Sequence, residues 1–311
     1  QPQGFHSEAS RGRELRNAAM QDLARGWGVR PDQVTPVHGL SNAFRIALAD
    51  PAQVLAFAAG SRVGLRQAAE AFLEAQELPL RPDGTLVEPL PQADVLAIQS
   101  GNPETGTVQS IANLRESNPS AIIMTDATEW AGREVGWPDA DVVVLRASSW
   151  GGPASVCFVV SDQPNRLNPR ARLSVSPDPV LLGAAAAAWA NLGDVAARAA
   201  QHRSWLADFA TGLRELPGCS VLDAAPDRLP HLLSFTIDGY DGEALAHELD
   251  HLGFAVGSGS ACAVDSSNPS AVLAAMGQSN TASVRVGLPL KANADDLPRL
   301  LAALKQVLAK S

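Results

Sequence analysis

Lysine is almost missing from these 311 residues, occurring only as Lys291, Lys305 and Lys310. Arginine carries the remaining positive charge, and 24 basic residues face 33 acidic ones for a formal net charge of −9. That balance excludes the basic patches that non-specific nucleic-acid or anionic-membrane binding requires, so neither partner is expected. No run of 18 apolar residues is present. The longest candidate, 183–190, is an alanine tract suited to a tightly packed helix. Cysteine is scarce as well. Cys157, Cys219 and Cys262 make an odd count without CxxC spacing or a neighbouring His cluster, so neither a disulfide framework nor a zinc or other metal site is indicated. No secretory leader is visible, and a reducing cytoplasm is the expected location.

A hydrophobic fraction of 46% over this length supports two domains of ordinary size. Leu15, Ala18, Ala19, Leu23 and Trp27 give the spacing of one helical face across 8–27, which Gly28 stops. Apolar runs and helical stretches then alternate. Strands are expected at 54–59, 95–99, 121–125, 142–145 and 156–160, with helices at 66–76 and 109–116. This βαβα order with near-continuous apolar strands predicts a mostly parallel sheet covered on both faces. A stretch rich in Pro, Asn, Arg and Ser, 164–179, reads as a long surface connection. Helices at 180–191 and 195–213 follow. Beyond them come strands at 232–237, 255–256 and 282–287 and helices at 242–252, 268–276 and 294–309. The expected division is a large α/β domain over 1–195 and a smaller α+β domain over 196–311.

Chemistry-bearing residues concentrate late in the chain. Gly257-Ser258-Gly259-Ser260-Ala261-Cys262 puts a thiol on a loop of small residues, ahead of a helix from Asn268 and the strand Ser283-Val284-Arg285. The loop reads first as an ordinary Gly/Ser connection, and otherwise as a carrier of a reactive thiol near a helix N-terminus that favours the thiolate. Arg285 alternates with Val284 and Val286, so it points off the buried face, as a solvated or salt-bridged side chain. Asp126 ends the strand 121–125, where a cap is the plainer reading.

This order resembles the active-site end of the cysteine desulfurases, in the class V aminotransferase family of pyridoxal-phosphate (PLP) enzymes. The resemblance extends along most of the chain. Gln3-Gly4-Phe5-His6 and the helix after it are similar to the family's early segment. Gly39 and Ser41, in Val37-His38-Gly39-Leu40-Ser41-Asn42-Ala43, stand where a Gly-x-Thr turn binds the PLP phosphate. Asn102-Pro103-Glu104-Thr105-Gly106 resembles the family's Asn-Asn-Glu-Thr-Gly. Asp126 takes the place of the pyridinium partner, and Glu129 that of a Gln facing the phenolic oxygen. The resemblance implies a PLP-dependent transferase (aspartate aminotransferase-like) fold, a carboxylate-binding role for Arg285, a persulfide thiol at Cys262, and a homodimer built through the large domain.

The same comparison exposes departures. Where the family has Ala-His-Lys, this chain has Ala147-Ser148-Ser149, so Ser149 stands for the Schiff-base lysine and Ser148 for the phosphate-side His. The ring-stacking His has no counterpart, because the strand 54–59 leads into Gly60-Ser61-Arg62. Arg172-Leu173-Ser174-Val175-Ser176-Pro177 replaces a Gly/Thr-rich phosphate segment. Without the lysine, PLP loses its covalent bond and its proton shuttle. The residues 39, 41, 102, 126, 129, 148 and 149 thus read as a degenerate PLP site. No covalent PLP is expected, and Trp150 is expected to fill part of the vacated space. The implied function is a scaffold, regulatory or binding role in sulfur metabolism, with a sulfur-transfer or desulfurase partner. The alternatives are a persulfide carrier through Cys262 and a PLP-dependent desulfurase.

Overall fold

The computed structural model describes residues 7–48, 50–163, 167, 176–258, 270–278 and 283–309. Its larger sheet is built from β1 (Val34–His38), β2 (Val54–Ala58), β3 (Glu74–Leu78), β4 (Val95–Gln99), β5 (Ile122–Asp126), β6 (Val142–Arg146) and β7 (Val156–Ser161). The spatial order is β1-β7-β6-β5-β4-β2-β3. Strands β3, β2, β4, β5 and β6 run parallel, while β7 is antiparallel to both β6 and β1. The central strands are buried almost throughout, because helices cover both faces.

Side-chain alternation along the strands sorts the core into two layers. Phe57, Ala97, Met124 and Val144 meet α2 (Leu40–Ala47) and α3 (Val63–Ala69) on one face. Ala56, Leu96 and Ile123 meet α4 (Ile111–Ser117) on the other, while Val143, Leu145 and Phe158 meet α1 (Ser7–Trp27) and α5 (Pro179–Ala190). Ala185 and Ala186 of the alanine tract are buried in that layer. Helix α1 buries Ala19, Met20, Leu23, Ala24 and Trp27, whereas Leu15 stays 39% exposed.

The second sheet is antiparallel, ordered β10-β11-β9-β8 from β8 (Cys219–Val221), β9 (Leu232–Ile237), β10 (Gly257–Ser258) and β11 (Ser283–Gly287). Leu233, Phe235, Ile237, Val284 and Val286 pack against α6 (Val195–Arg214), α7 (Gly242–His251) and α9 (Asp296–Leu308). The register pairs Arg285 with Ser234 and Ser283 with Thr236, so these polar residues share the opposite face. Ser270 caps α8 (Ala271–Ala275) by accepting from the Leu273 N–H. Among the described residues no single helix is long and apolar enough to cross a membrane; α5 and α6 reach that composition only as a pair bent by 73°.

Several expected elements are corrected. The helix over 66–76 is two elements, since α3 ends at Ala69 and Glu74–Leu78 is an edge strand. Glu74, Ala75, Gln76 and Glu77 are exposed, and their helix-favouring composition yields to the open edge of β2. Strand β1 was not anticipated because Pro36 sits at its centre, a position an edge strand tolerates. The strand expected at 255–256 lies at Gly257–Ser258 instead, set by pairing of Gly257 with Arg285. Most of the connection over 164–179 lies outside the described residues, as do 3–6 of the early segment.

Candidate functional site

Strands β4 and β5 place Gln99 beside Asp126 at their carboxyl ends, where open α/β sheets gather ligands. Asp126 is 1% exposed, and both of its carboxylate oxygens accept hydrogen bonds from protein groups. Oδ1 accepts from the Thr128 N–H at 3.0 Å. Oδ2 accepts from Gln99 Nε2 at 3.2 Å and from Arg62 Nε at 3.0 Å. Arg62 sits just before α3, beyond the end of β2, and its Nη2 also donates to Glu129 Oε1 at 2.5 Å. One guanidinium thus spans both carboxylates. Burial alone lowers the Arg62 pKa, but the charges of Asp126 and Glu129 outweigh it and the net direction is up.

Glu129 faces a second partner, His231, with Nε2 3.6 Å from Oε2. Burial works to raise the Glu129 pKa; the His231 hydrogen bond and the Arg62 charge overcome it and hold the carboxyl down to about 2. Burial also pushes His231 down, only partly offset by Glu129, and its Nδ1 has no hydrogen-bond partner among the described residues. Burial thus favours the neutral form of the His231 imidazole, against the pull of Glu129.

Ser149 donates its hydroxyl proton to the carbonyl of Thr128, the residue whose N–H holds Asp126. Its own carbonyl accepts from Arg133 Nε at 3.0 Å, and Arg133 Nη1 reaches the Leu288 carbonyl at 2.9 Å. Burial brings the Arg133 pKa down to about 10. Ser148 Oγ accepts from Arg146 Nε at 2.6 Å. Trp150 does not fill space beside Asp126, and that expectation is corrected. Its ring packs on Trp27, Trp189 and Phe158 in the α1–α5 layer, with Nε1 donating to the Ala185 carbonyl.

Gly39 precedes α2 with φ +84°, a conformation that suits glycine, and its N–H goes to the Ser155 carbonyl. Ser41 is exposed and lies against Gly64, where an added Cβ would come within 3.3 Å of Ser41 Oγ. Asn102 is committed to the backbone. Its Oδ1 accepts from the N–H groups of Glu104 and Thr105, and Nδ2 donates to the Gly60 carbonyl. It holds a turn, with one amide proton left over.

That turn is strapped to the second sheet. Ser234 Oγ donates to the Glu104 carbonyl, Arg285 Nη1 to Pro103 O at 3.1 Å and Arg228 Nη2 to Thr105 O at 2.7 Å. Arg285 also packs on Gly257, where a side chain would meet its guanidinium at 3.0 Å. Ser270 Oγ donates to Glu104 Oε2 at 2.7 Å. Burial raises the Glu104 pKa against the pull of Ser270, Arg285 and Ser283. Cys262 lies outside the described residues. A separate cavity of 740 Å³ lies between Trp130, Glu134, Arg203 and Leu232, with Arg228 in its wall.

Sequence reasoning missed Arg62, Arg133, His231 and the buried carboxyl of Glu104. Their partners lie far off in the chain, 64 positions for Arg62 and Asp126, so no local spacing marks them.

Residues 177–300 match the family model described as aminotransferase class-V. The chain is 28% identical over 222 residues to a putative cysteine desulfurase IscS 1 of Bacillus subtilis, covering 65% of this chain and 59% of that protein. It is 36% identical over 138 residues to a cysteine desulfurase of Rhodobacter capsulatus, covering 42% and 35%. The chain therefore spans less than two thirds of these curated relatives. Among solved structures, a NifS-like protein superposes with a TM-score of 0.84 at 17% identity, over 100% of this chain and 92% of that one. The fold is that of these structures.

Proposed function

From the premise that this chain is a cysteine desulfurase-like protein of the class V aminotransferase kind, we propose that it works without covalent PLP. Its role is that of a scaffold or regulator of sulfur-handling proteins. One observation carries this reading: Arg62 bridges Asp126 and Glu129, the residues the family resemblance gives to the cofactor ring. The residues present do not fit a lysine-anchored PLP. Ser149 is bonded to Thr128, both Asp126 oxygens are engaged, and this sequence has no lysine before Lys291.

The proposal includes a division into 1–195 and 196–311, a cytoplasmic location and a homodimer through the larger part. Ala184, Ala187 and Ala190 of α5 remain exposed for such packing, while Ala185 and Ala186 face α1. Light scattering at micromolar concentration should give twice the chain mass; a monomer mass removes the dimer. The catalytic half of the reading is tested by supplying PLP and free cysteine and measuring alanine. None is expected from the protein as it stands, and Ser148→His with Ser149→Lys should not restore turnover while Arg62 remains. Alanine formation at rates typical of enzymes, on the order of 1 per second or more, would overturn it.

A second reading, sulfur carriage by Cys262, gains support from the other two thiols. Burial pushes Cys157 up to about 12 and Cys219 up to about 11, so neither supplies thiolate at neutral pH. Cys262 thiolate would attack the terminal sulfur of a desulfurase persulfide and release the donor's thiolate. Incubation with an active desulfurase and cysteine should add one sulfur mass, lost in Cys262→Ala; an unchanged mass leaves the scaffold role alone.

A further inference from the structure

Charges at the carboxyl ends of β4 and β5 balance internally. Asp126 and Glu129 bring two negative charges, Arg62 brings one positive, and Arg133 lies close enough to act on Glu129. Asp126 is buried, and the Arg62 side chain is 19% exposed. A carboxylate in such a place is costly unless a cation and hydrogen bonds meet it. Both needs are filled from within the chain, by the guanidinium fork on one side and by Gln99 and the Thr128 N–H on the other.

We infer that Arg62 is the internal counter-ion of this site. It supplies to Asp126 the positive charge that a cationic nitrogen heterocycle would otherwise bring, and so excludes such a ligand. Glu129 follows from the same arrangement, since it takes the second face of the fork. A ligand that pairs with Asp126 must first displace Arg62 Nε, leaving the guanidinium held by Glu129 alone. Arg62 acts here as a specificity-determining residue that selects against the ring. The inference rests on the PLP-free reading for what is excluded. Its electrostatic core, the coupling of Arg62 to the two carboxylates, stands independently.

The test is a thermal-stability cycle with Arg62→Met, with Asp126→Asn plus Glu129→Gln, and with all three changes together. Either partial variant should lose about 5–8 °C in Tm, as expected when a buried ion pair is left half-complete in a chain of this size. The triple variant should lose much less than the sum. Additive losses, or a change below about 2 °C for Arg62→Met, would overturn the inference. Arg62→Lys keeps a charge with fewer contacts and guards against failure to fold; it should fall between the native protein and Arg62→Met.

A ligand arm uses PLP itself in equilibrium dialysis. Arg62→Met should retain PLP at least about tenfold more tightly than the native protein, or about 1.4 kcal/mol. Equal retention would overturn the exclusion. A borohydride-sensitive absorbance band in the native protein would instead defeat the PLP-free reading. The stability cycle keeps those failures apart.

Discussion

Ser270 donates its hydroxyl proton to Oε2 of Glu104 across 2.7 Å, joining the cap of α8 to the 102–107 turn although 166 positions separate the two residues. The same turn is held by Ser234, Arg228 and Arg285, so a buried acid sits where the two sheets meet.

Burial raises the Glu104 pKa from 4.5, so the folded state holds this proton more tightly than the unfolded chain does. Stability from this group is present at low pH and declines as pH rises from about 4.5 through the raised folded value. Glu104→Gln keeps an acceptor for Ser270 and removes the titration. Its Tm relative to the native protein should therefore be higher at pH 8 than at pH 4. Ser270→Ala should cost about 1–3 kcal/mol by leaving the carboxyl short of a partner. Thermal melts at the two pH values check both.

Two buried histidines set an acid limit of the opposite sign. Burial brings His202 down to about 4 and pushes His231 down as well, so the fold binds these protons less tightly than the unfolded chain, whose histidines protonate near 6.5. Stability should fall as pH drops from 7 toward 4. His202 stacks on Trp205 at 5.7 Å, and His202→Phe keeps a stacked ring without a proton to bind. The drop in Tm between pH 7 and 5 should be smaller in that variant; an equal drop would clear His202 of the effect.

Close packing of α1 on α5 depends on Gly26, because the Trp189 indole occupies the place of a Cβ there. Gly26→Ala should destabilise by about 1–3 kcal/mol despite alanine's better helix propensity. Trp150→Ala should cost about 3–5 kcal/mol, since it empties the centre of the Trp27–Trp189–Phe158 cluster. Urea unfolding measures both, and a stabilised Gly26→Ala would show the helices free to separate.

The apolar strands 95–99 and 232–237 were legible to the residue because burial on both faces, or strict alternation, marks them in sequence. Glu74–Leu78 was not, because an exposed edge strand carries helix-favouring side chains and takes its form from β2. The site divides in the same way. Asp126 and the serines at 148 and 149 were placed in the site by the family resemblance, which follows the local order of the chain. Arg62 carried no signal in sequence; its pairing with residues 126 and 129 is a product of strands brought side by side. Trp150 misled for a related reason, since its neighbours in sequence belong to the site and its contacts to the helical layer.

The most direct test of the central claim is an absorbance spectrum of the purified protein after incubation with PLP and gel filtration, recorded before and after borohydride. The account predicts no internal-aldimine band and no borohydride-dependent change, because Ser149 holds the place of the lysine and Arg62 holds Asp126. A stoichiometric band that borohydride removes and fixes to the chain would contradict it.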